Sequence, residues 1–267
     1  MSTVVLAEER RTRLLELVRR QGFASLPQLA GELKVSESTV RRDLDALEQS
    51  GVARRTHGGV FYSGSSPALP PFEERQPAQW EKKKQIAERT AALIEDGETV
   101  LFDGGSTTYL VARELLGRRL QVVTNSLPVA NLFASAPGTD LVLLGGYVYP
   151  RTGVALGPLA NAMLGQLHVH KLIMSTAGVT EQGLYNSNLL LVETERAMMR
   201  AADEVIVVAD STKFGHQNLS FLCGLDEVHR MVVDTEISQD WRKKIEAAGV
   251  KLVLAQEPKS NTDPISS

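Results

Sequence analysis

Ser36-Glu37-Ser38-Thr39-Val40-Arg41-Arg42-Asp43-Leu44-Asp45-Ala46-Leu47-Glu48-Gln49 is the stretch that decides the reading of the N-terminal part. Ser36 is a good N-cap, because its hydroxyl can accept one of the free N–H groups of a first helical turn. Val40, Leu44 and Leu47 then recur at helical spacing, so one stripe turns inward and Ser38, Thr39, Arg41, Arg42 and Asp45 are left outside. Upstream, Leu14, Leu15, Leu17 and Val18 define a helix over 8–20, stopped by Gly22. Ser25 with Pro27 starts a short second helix ending at Leu33, and a tight turn at Lys34-Val35 follows. Downstream, residues 52–62 read as two short strands around His57-Gly58-Gly59, a hairpin carrying Arg54 and Arg55. Three helices and a basic hairpin in this order predict a winged helix-turn-helix. Small polar residues in the first turn of its third helix can approach base edges, and arginines one turn later can reach guanine or phosphate.

The charge distribution agrees. The 267-residue chain has a formal net charge of −3. Residues 1–62 carry a net +2 and the remainder a net −5. Within the positive part, Arg41, Arg42, Arg54 and Arg55 crowd together, as a phosphate-facing surface requires. With 43% hydrophobic and 23% charged residues the composition is that of a folded globular protein. The apolar runs are too short to cross a bilayer and no signal-peptide pattern opens the chain, so a cytoplasmic protein without membrane contact is expected. The single cysteine, Cys223, lies in an apolar run and reads as core.

A Ser/Gly/Pro-rich stretch follows the hairpin. The chain is accordingly divided into a winged helix-turn-helix over 1–62, a linker over 63–78, an α/β domain over 79–257 and a disordered polar tail over 258–267. In the α/β part a helix over 80–94 precedes apolar runs at 99–102, 120–123, 140–144, 171–175, 205–209, 231–233 and 250–254, which alternate with helix-like stretches. That alternation predicts a mostly parallel sheet with helices on both faces.

Ligands of open α/β sheets bind at the carboxyl ends of the strands. Asp103-Gly104-Gly105-Ser106-Thr107-Thr108 lies there, between a strand and a helix, and reads either as a phosphate cradle or as a tight turn with capping hydroxyls. It is neither a Walker A loop nor a dinucleotide fingerprint. The same position recurs at Thr124-Asn125-Ser126, at Gly178 and at Lys213, whose ammonium could meet a phosphate or sugar oxygen or could be a solvated loop lysine. Glu193 reads equally as a sugar-hydroxyl ligand or as a surface acid paired with Arg196. His168 and His170 have no cysteine or acid at ligand spacing, so no metal and no cofactor is expected.

The segment 35–48, followed by Arg55-Thr56-His57-Gly58-Gly59-Val60, resembles the DNA-binding signature of the DeoR family of bacterial regulators. The order Asp-Gly-Gly-Ser-Thr-Thr, Thr-Asn-Ser, Leu-Gly-Gly, Gly-Leu-Tyr and Asp-Ser-Thr-Lys-Phe-Gly extends the resemblance over nearly the whole chain. It implies a sensor domain similar in fold to ribose-5-phosphate isomerase and coenzyme A transferases. It further implies double-stranded operator DNA contacted by Ser36, Ser38, Thr39, Arg41, Arg42, Arg54, Arg55 and His57, in a homo-oligomer, dimer or tetramer. A phosphorylated sugar effector would be held by Asp103, Gly104–Thr108, Thr124–Ser126, Gly178, Glu193 and Lys213. The rival reading is a sugar-phosphate isomerase. Against it, the loop expected to be acid-rich is Ser175-Thr176-Ala177-Gly178, without a carboxylate, so no catalytic residue is expected.

Overall fold

The computed structural model describes residues 7–21, 23–49, 53–56, 59–62 and 70–255. His57, Gly22 and the tail over 258–267 lie outside the described residues. The chain divides into two compact units, 1–68 with 187–192, and 69–186 with 193–267.

In the first unit the helices are α1 (Ala7–Gln21), α2 (Leu26–Leu33) and α3 (Glu37–Gln49), and the strands are β1 (Phe23–Ser25), β2 (Ala53–Thr56) and β3 (Gly59–Tyr62). Ser25 caps α2 by accepting the Gln28 N–H, and Lys34 ends it in the left-handed region at φ 53°. The stripe expected from sequence forms the core, since Leu14, Val18, Leu29, Val40 and Leu44 are fully buried. A bidentate pair bolts α1 to α3: Arg10 Nε donates to Asp43 Oδ2 at 2.5 Å and Arg10 Nη2 to Asp43 Oδ1 at 3.1 Å. The hairpin β2–β3 gains a strand that the sequence reading did not foresee, because β1 pairs antiparallel with β3 and the sheet order is β1-β3-β2.

The second unit runs α4 (Phe72–Arg75), α5 (Trp80–Ala91), β4 (Thr99–Phe102), α6 (Ser106–Glu114), β5 (Leu120–Thr124), α7 (Leu127–Phe133), β6 (Thr139–Leu143), β7 (Tyr147–Tyr149) and β8 (Val154–Leu156). It continues with α8 (Pro158–Leu164), β9 (Val169–Ser175), β10 (Gly178–Thr180), β11 (Gly183–Asn186), α9 (Leu189–Arg200, of which the residues up to 192 group with the first unit), β12 (Ala202–Ala209), β13 (Ser220–Cys223), β14 (Arg230–Asp234), α10 (Gln239–Ala247) and β15 (Lys251–Ala255). Seven strands form one parallel sheet in the order β15-β14-β12-β9-β4-β5-β6. Each corresponds to one of the apolar runs. Val100, Phe102, Val122, Ile173, Ile206 and Val232 pack with α5, α6 and α7 on one face. The alternate residues Leu101, Leu172, Val207 and Val233 are fully buried too, which is why these strands are apolar throughout rather than alternating.

Two smaller sheets were not expected: the hairpin β7–β8 and the antiparallel β10-β11-β13. The stretch read as linker up to residue 78 is a further difference. It contains α4, whose Phe72 is buried, donates its N–H to Arg151 O at 3.0 Å and meets the Tyr109 ring edge-on at 5.4 Å. Cys223 is buried, and burial pushes its thiol up to about 12, so it stays protonated. No helix among the described residues is long and apolar enough to cross a membrane.

Candidate functional site

At the start of α3 three hydroxyls cluster. Ser36 Oγ accepts the Thr39 N–H at 3.3 Å and lies 2.8 Å from Ser38 Oγ and 2.9 Å from Thr39 Oγ1. Ser36 therefore works first as the cap. One turn on, Arg41 and Arg42 are exposed, Arg41 in a loose pair with Glu37 at 3.5 Å. Asp43, between them and the core, is consumed by Arg10 and by Arg11, 3.4 Å away. The acid within the Arg-Arg-Asp triplet is thus turned inward, while Ser38, Arg41 and Arg42 are exposed together with Glu37, Asp45 and Glu48. Arg54 and Arg55 lie on β2.

The second cluster occupies the sheet. From β4 the chain proceeds to β5 and β6 on one side and returns to β9 on the other, so the strand order reverses between β4 and β9. A crevice opens at such a switch point, at the carboxyl ends of the two strands. Asp103 spans it. Its carboxylate accepts the Gly105 N–H at 2.8 Å and the Ser175 N–H at 2.8 Å, and is buried. Burial raises its pKa, with these hydrogen bonds opposing. A Cβ on Gly104 would overlap Val154, and one on Gly105 would overlap the Ser175 hydroxyl. The backbone can come this close only without side chains.

Ser106, Thr107 and Thr108 open α6, where first-turn N–H groups have no intrahelical acceptor. Thr108 Oγ1 donates back to Gly105 O at 2.7 Å. At the end of β5, Thr124 Oγ1 donates to Phe102 O at 2.9 Å, Asn125 Nδ2 donates to Ala155 O at 3.0 Å, and Ser126 caps α7. Asn125 Oδ1 is buried without a partner. The expected residues Asp103–Thr108 and Thr124–Ser126 thus end adjacent, hydrogen-bonded strands, β4 and β5.

Gly178 and Glu193 stand differently. Gly178 packs so tightly on the backbone of His216 that a Cβ would overlap its carbonyl, which gives the glycine a packing reason. Glu193 is exposed, whereas Glu195, which the sequence reading passed over, is buried and accepts from Asn186 Nδ2 at 2.6 Å. Burial and the nearby Asp103 charge push Glu195 up to about 8, so at neutral pH it is an uncharged acid. Lys213 is half-buried in the 3-10 turn after β12, capped by Asp210. Two more cations were missed. Lys83 is only 5% exposed and donates to Arg75 O at 2.5 Å, and Arg75 has Nε and Nη2 buried without a partner. Asp210, Lys213 and Arg75 are the charges acting on Lys83, so all three cations share one region. Its helical phase could have signalled Lys83, which lies three and four residues before the buried Ile86 and Ala87.

His168 and His170 do not converge. His170 Nδ1 accepts the Thr99 N–H at 2.9 Å, while His168 Nε2 lies 3.1 Å from Asp203. Among the described residues no group of three or more metal-ligating side chains comes together.

Residues 10–65 match the family model described as a DeoR-like helix-turn-helix domain, and residues 78–235 match the one described as the DeoR C terminal sensor domain. The HTH-type transcriptional regulator GolR of Listeria innocua is 29% identical over 93% of this chain and 98% of its own length. The HTH-type transcriptional regulator UlaR of Escherichia coli is 26% identical over 90% of this chain and 96% of its own. Among solved structures, ribose 5-phosphate isomerase A of Methanocaldococcus jannaschii aligns with a TM-score of 0.37 and 19% identity, over 49% of this chain and 53% of that one.

Proposed function

The chain belongs to the DeoR family, and from that premise we propose that it is a DNA-binding transcriptional repressor of sugar metabolism, released from its operator by a phosphorylated sugar. The observation that carries this reading is the glycine turn at the switch point of the second unit's sheet, which Asp103 fixes against the start of α6 by accepting the Gly105 and Ser175 N–H groups. Such a turn offers backbone N–H groups to an anion. The outer face of α3 would read the operator, Ser38 and Thr39 close to the bases and Arg41 and Arg42 on guanine or phosphate. In this reading a cytoplasmic dimer or tetramer holds two winged helices over paired half-sites, and the effector favours an arrangement that no longer fits them. A coupling of ~1–3 kcal/mol changes operator affinity roughly 5–150-fold, enough for regulation. The relatives GolR and UlaR are named as transcriptional regulators, which speaks against the isomerase alternative.

The test is fluorescence anisotropy of the full chain on its own upstream DNA at fixed salt, titrated with sugar phosphates and with the same sugars unphosphorylated. Release by one phosphate and not by its parent sugar supports the proposal. Tight binding indifferent to every compound would leave the DNA reader and remove the sensor.

A further inference from the structure

β6 closes the large sheet on one side, with β5 as its one neighbour among the described residues. It is the strand of that sheet in which no residue is buried: Thr139, Leu141 and Val142 are half-buried, and Asp140 and Leu143 are exposed. An open edge is a template for a further strand, and proteins commonly blunt one with a lysine, a proline or a bulge. β6 has none of these, since it reads Thr-Asp-Leu-Val-Leu and keeps an unbroken register with β5. The opposite edge, β15, opens on the exposed Lys251.

The backbone determines what the edge can take. Along a strand in a parallel pair, successive residues turn their N–H and C=O to opposite sides. Leu144 donates its N–H to Thr124 O on β5 at 2.8 Å, so Asp140 and Val142 also face β5, while Thr139, Leu141 and Leu143 face outward. This outward run is bounded at both ends. The next outward N–H, of Gly145, goes to Met163 Sδ at 3.4 Å, and the preceding outward position is Pro137, which has no N–H. What stays open is a triplet symmetric about Leu141. Turned about a two-fold axis, it fits itself: Leu141 meets Leu141 of a second copy and Thr139 meets Leu143, each pair exchanging both hydrogen bonds of an antiparallel ladder. Asp140, the one charge in the strand, then stands opposite Val142 of the second copy and not opposite its like.

We propose that β6 is a self-pairing interface, through which two copies of the chain join edge to edge about Leu141 and continue their sheets into one. This rests on the oligomer of the proposed function and deepens it, naming the surface and giving it the two-fold symmetry that paired half-sites require. A stable interface buries about 1,200–2,000 Å² in total, more than a strand of this length supplies. Leu159 and Met163, one turn apart on α8, add apolar surface at the end of the edge, where they are 71% and 37% exposed and Met163 reaches Gly145.

Sedimentation velocity of the full chain over a dilution series reads the assembly, and melting temperature reads the fold. Wild type should self-associate. Leu143→Pro removes an outward N–H and should weaken association on the order of 10-fold or more. Val142→Asp sets like charges opposite each other on both sides of the axis and should weaken it on the order of 10-fold. Val142→Lys instead faces Asp140 of the second copy and should associate at least as tightly as wild type. That difference in sign keeps the test decisive if the proline variant folds poorly, because a non-specific apolar patch is weakened by either charge. Weakening by both Val142 charges, or assembly unchanged in all three variants, would overturn this interface and leave the oligomer of the proposed function standing. A wild type that is monomeric at every concentration would overturn both and give the edge a different occupant, with the DNA and effector titrations still read on their own.

Discussion

Asp103 at the end of β4 accepts the backbone N–H of Ser175 at the end of β9, 2.8 Å away, with its other oxygen on Gly105. One carboxylate therefore joins the two neighbouring strands whose onward chains diverge. Asp103→Ala leaves two buried N–H groups without acceptors and should lower stability by about 2–4 kcal/mol. Urea unfolding checks this, and a loss below about 0.5 kcal/mol would mean that the turn holds itself.

On the DNA face, Arg41→Ala and Arg42→Ala should each weaken operator binding by ~1–3 kcal/mol where the contact is bidentate. Neither should alter the melting temperature, since both side chains are exposed. Anisotropy at fixed salt measures the first and calorimetry the second. Unchanged affinity would remove the residue concerned from the reading face.

Asp43→Ala should act in the opposite way. It breaks the bidentate pair with Arg10 and should destabilise the winged helix by ~1–3 kcal/mol. Below the transition, DNA affinity should stay near that of wild type. Loss of affinity in a fully folded variant would show that Asp43 positions the reading helix.

Lys213→Ala should leave operator binding intact and abolish release by the effector. The measurement is the same anisotropy titration, run with the compound that releases wild type. Loss of DNA binding at an unchanged melting temperature would contradict that division of labour.

Glu195 gives a pH signature. Its folded pKa is raised from 4.5 to about 8, so the folded state holds a proton that the unfolded chain has released. Stability from this group is complete below pH 4.5 and is lost as pH rises toward about 8. Glu195→Gln keeps the shape and stays neutral, so wild type should lose stability relative to it by up to about 1.4 kcal/mol per pH unit across that window. Parallel stability profiles for the two proteins would show that Glu195 is ionised in the fold.

The large sheet was legible because its strands are parallel and the central ones are buried on both faces, which writes them as short unbroken apolar runs such as Val205-Ile206-Val207-Val208. The sheet β10-β11-β13 was not legible, since its strands have three or four residues and mix Gly, Thr, Asn and Ser with the apolar positions. In the crevice, the Asp-Gly-Gly turn was legible from chemistry and position. Glu195 was not chosen because Glu193 and Arg196 offered a plausible surface pair, yet Glu195 shares its helical stripe with the buried Leu191 and Met198. Arg75 was hidden by its surroundings, as Pro70, Pro71, Gln76 and Pro77 made the whole stretch read as connector. Contacts far apart in sequence, from Phe72 to Arg151 and Tyr109 and from Arg75 O to Lys83, hold α4 in place.

The pairing of β4 with β9 also bears on synthesis. Phe102 aligns with Ile173, so one edge of the central strand stays bare until a partner some 70 residues later has left the ribosome. At about 5–20 residues per second that interval lasts roughly 4–14 s. Once β6 is complete at residue 143, β4, β5 and β6 can pair as a three-stranded fragment whose β4 edge stays open until β9 follows. A nascent chain in that state is a target for chaperones and for pairing with a neighbouring nascent chain, and slow codons between 143 and 169 would prolong the exposure.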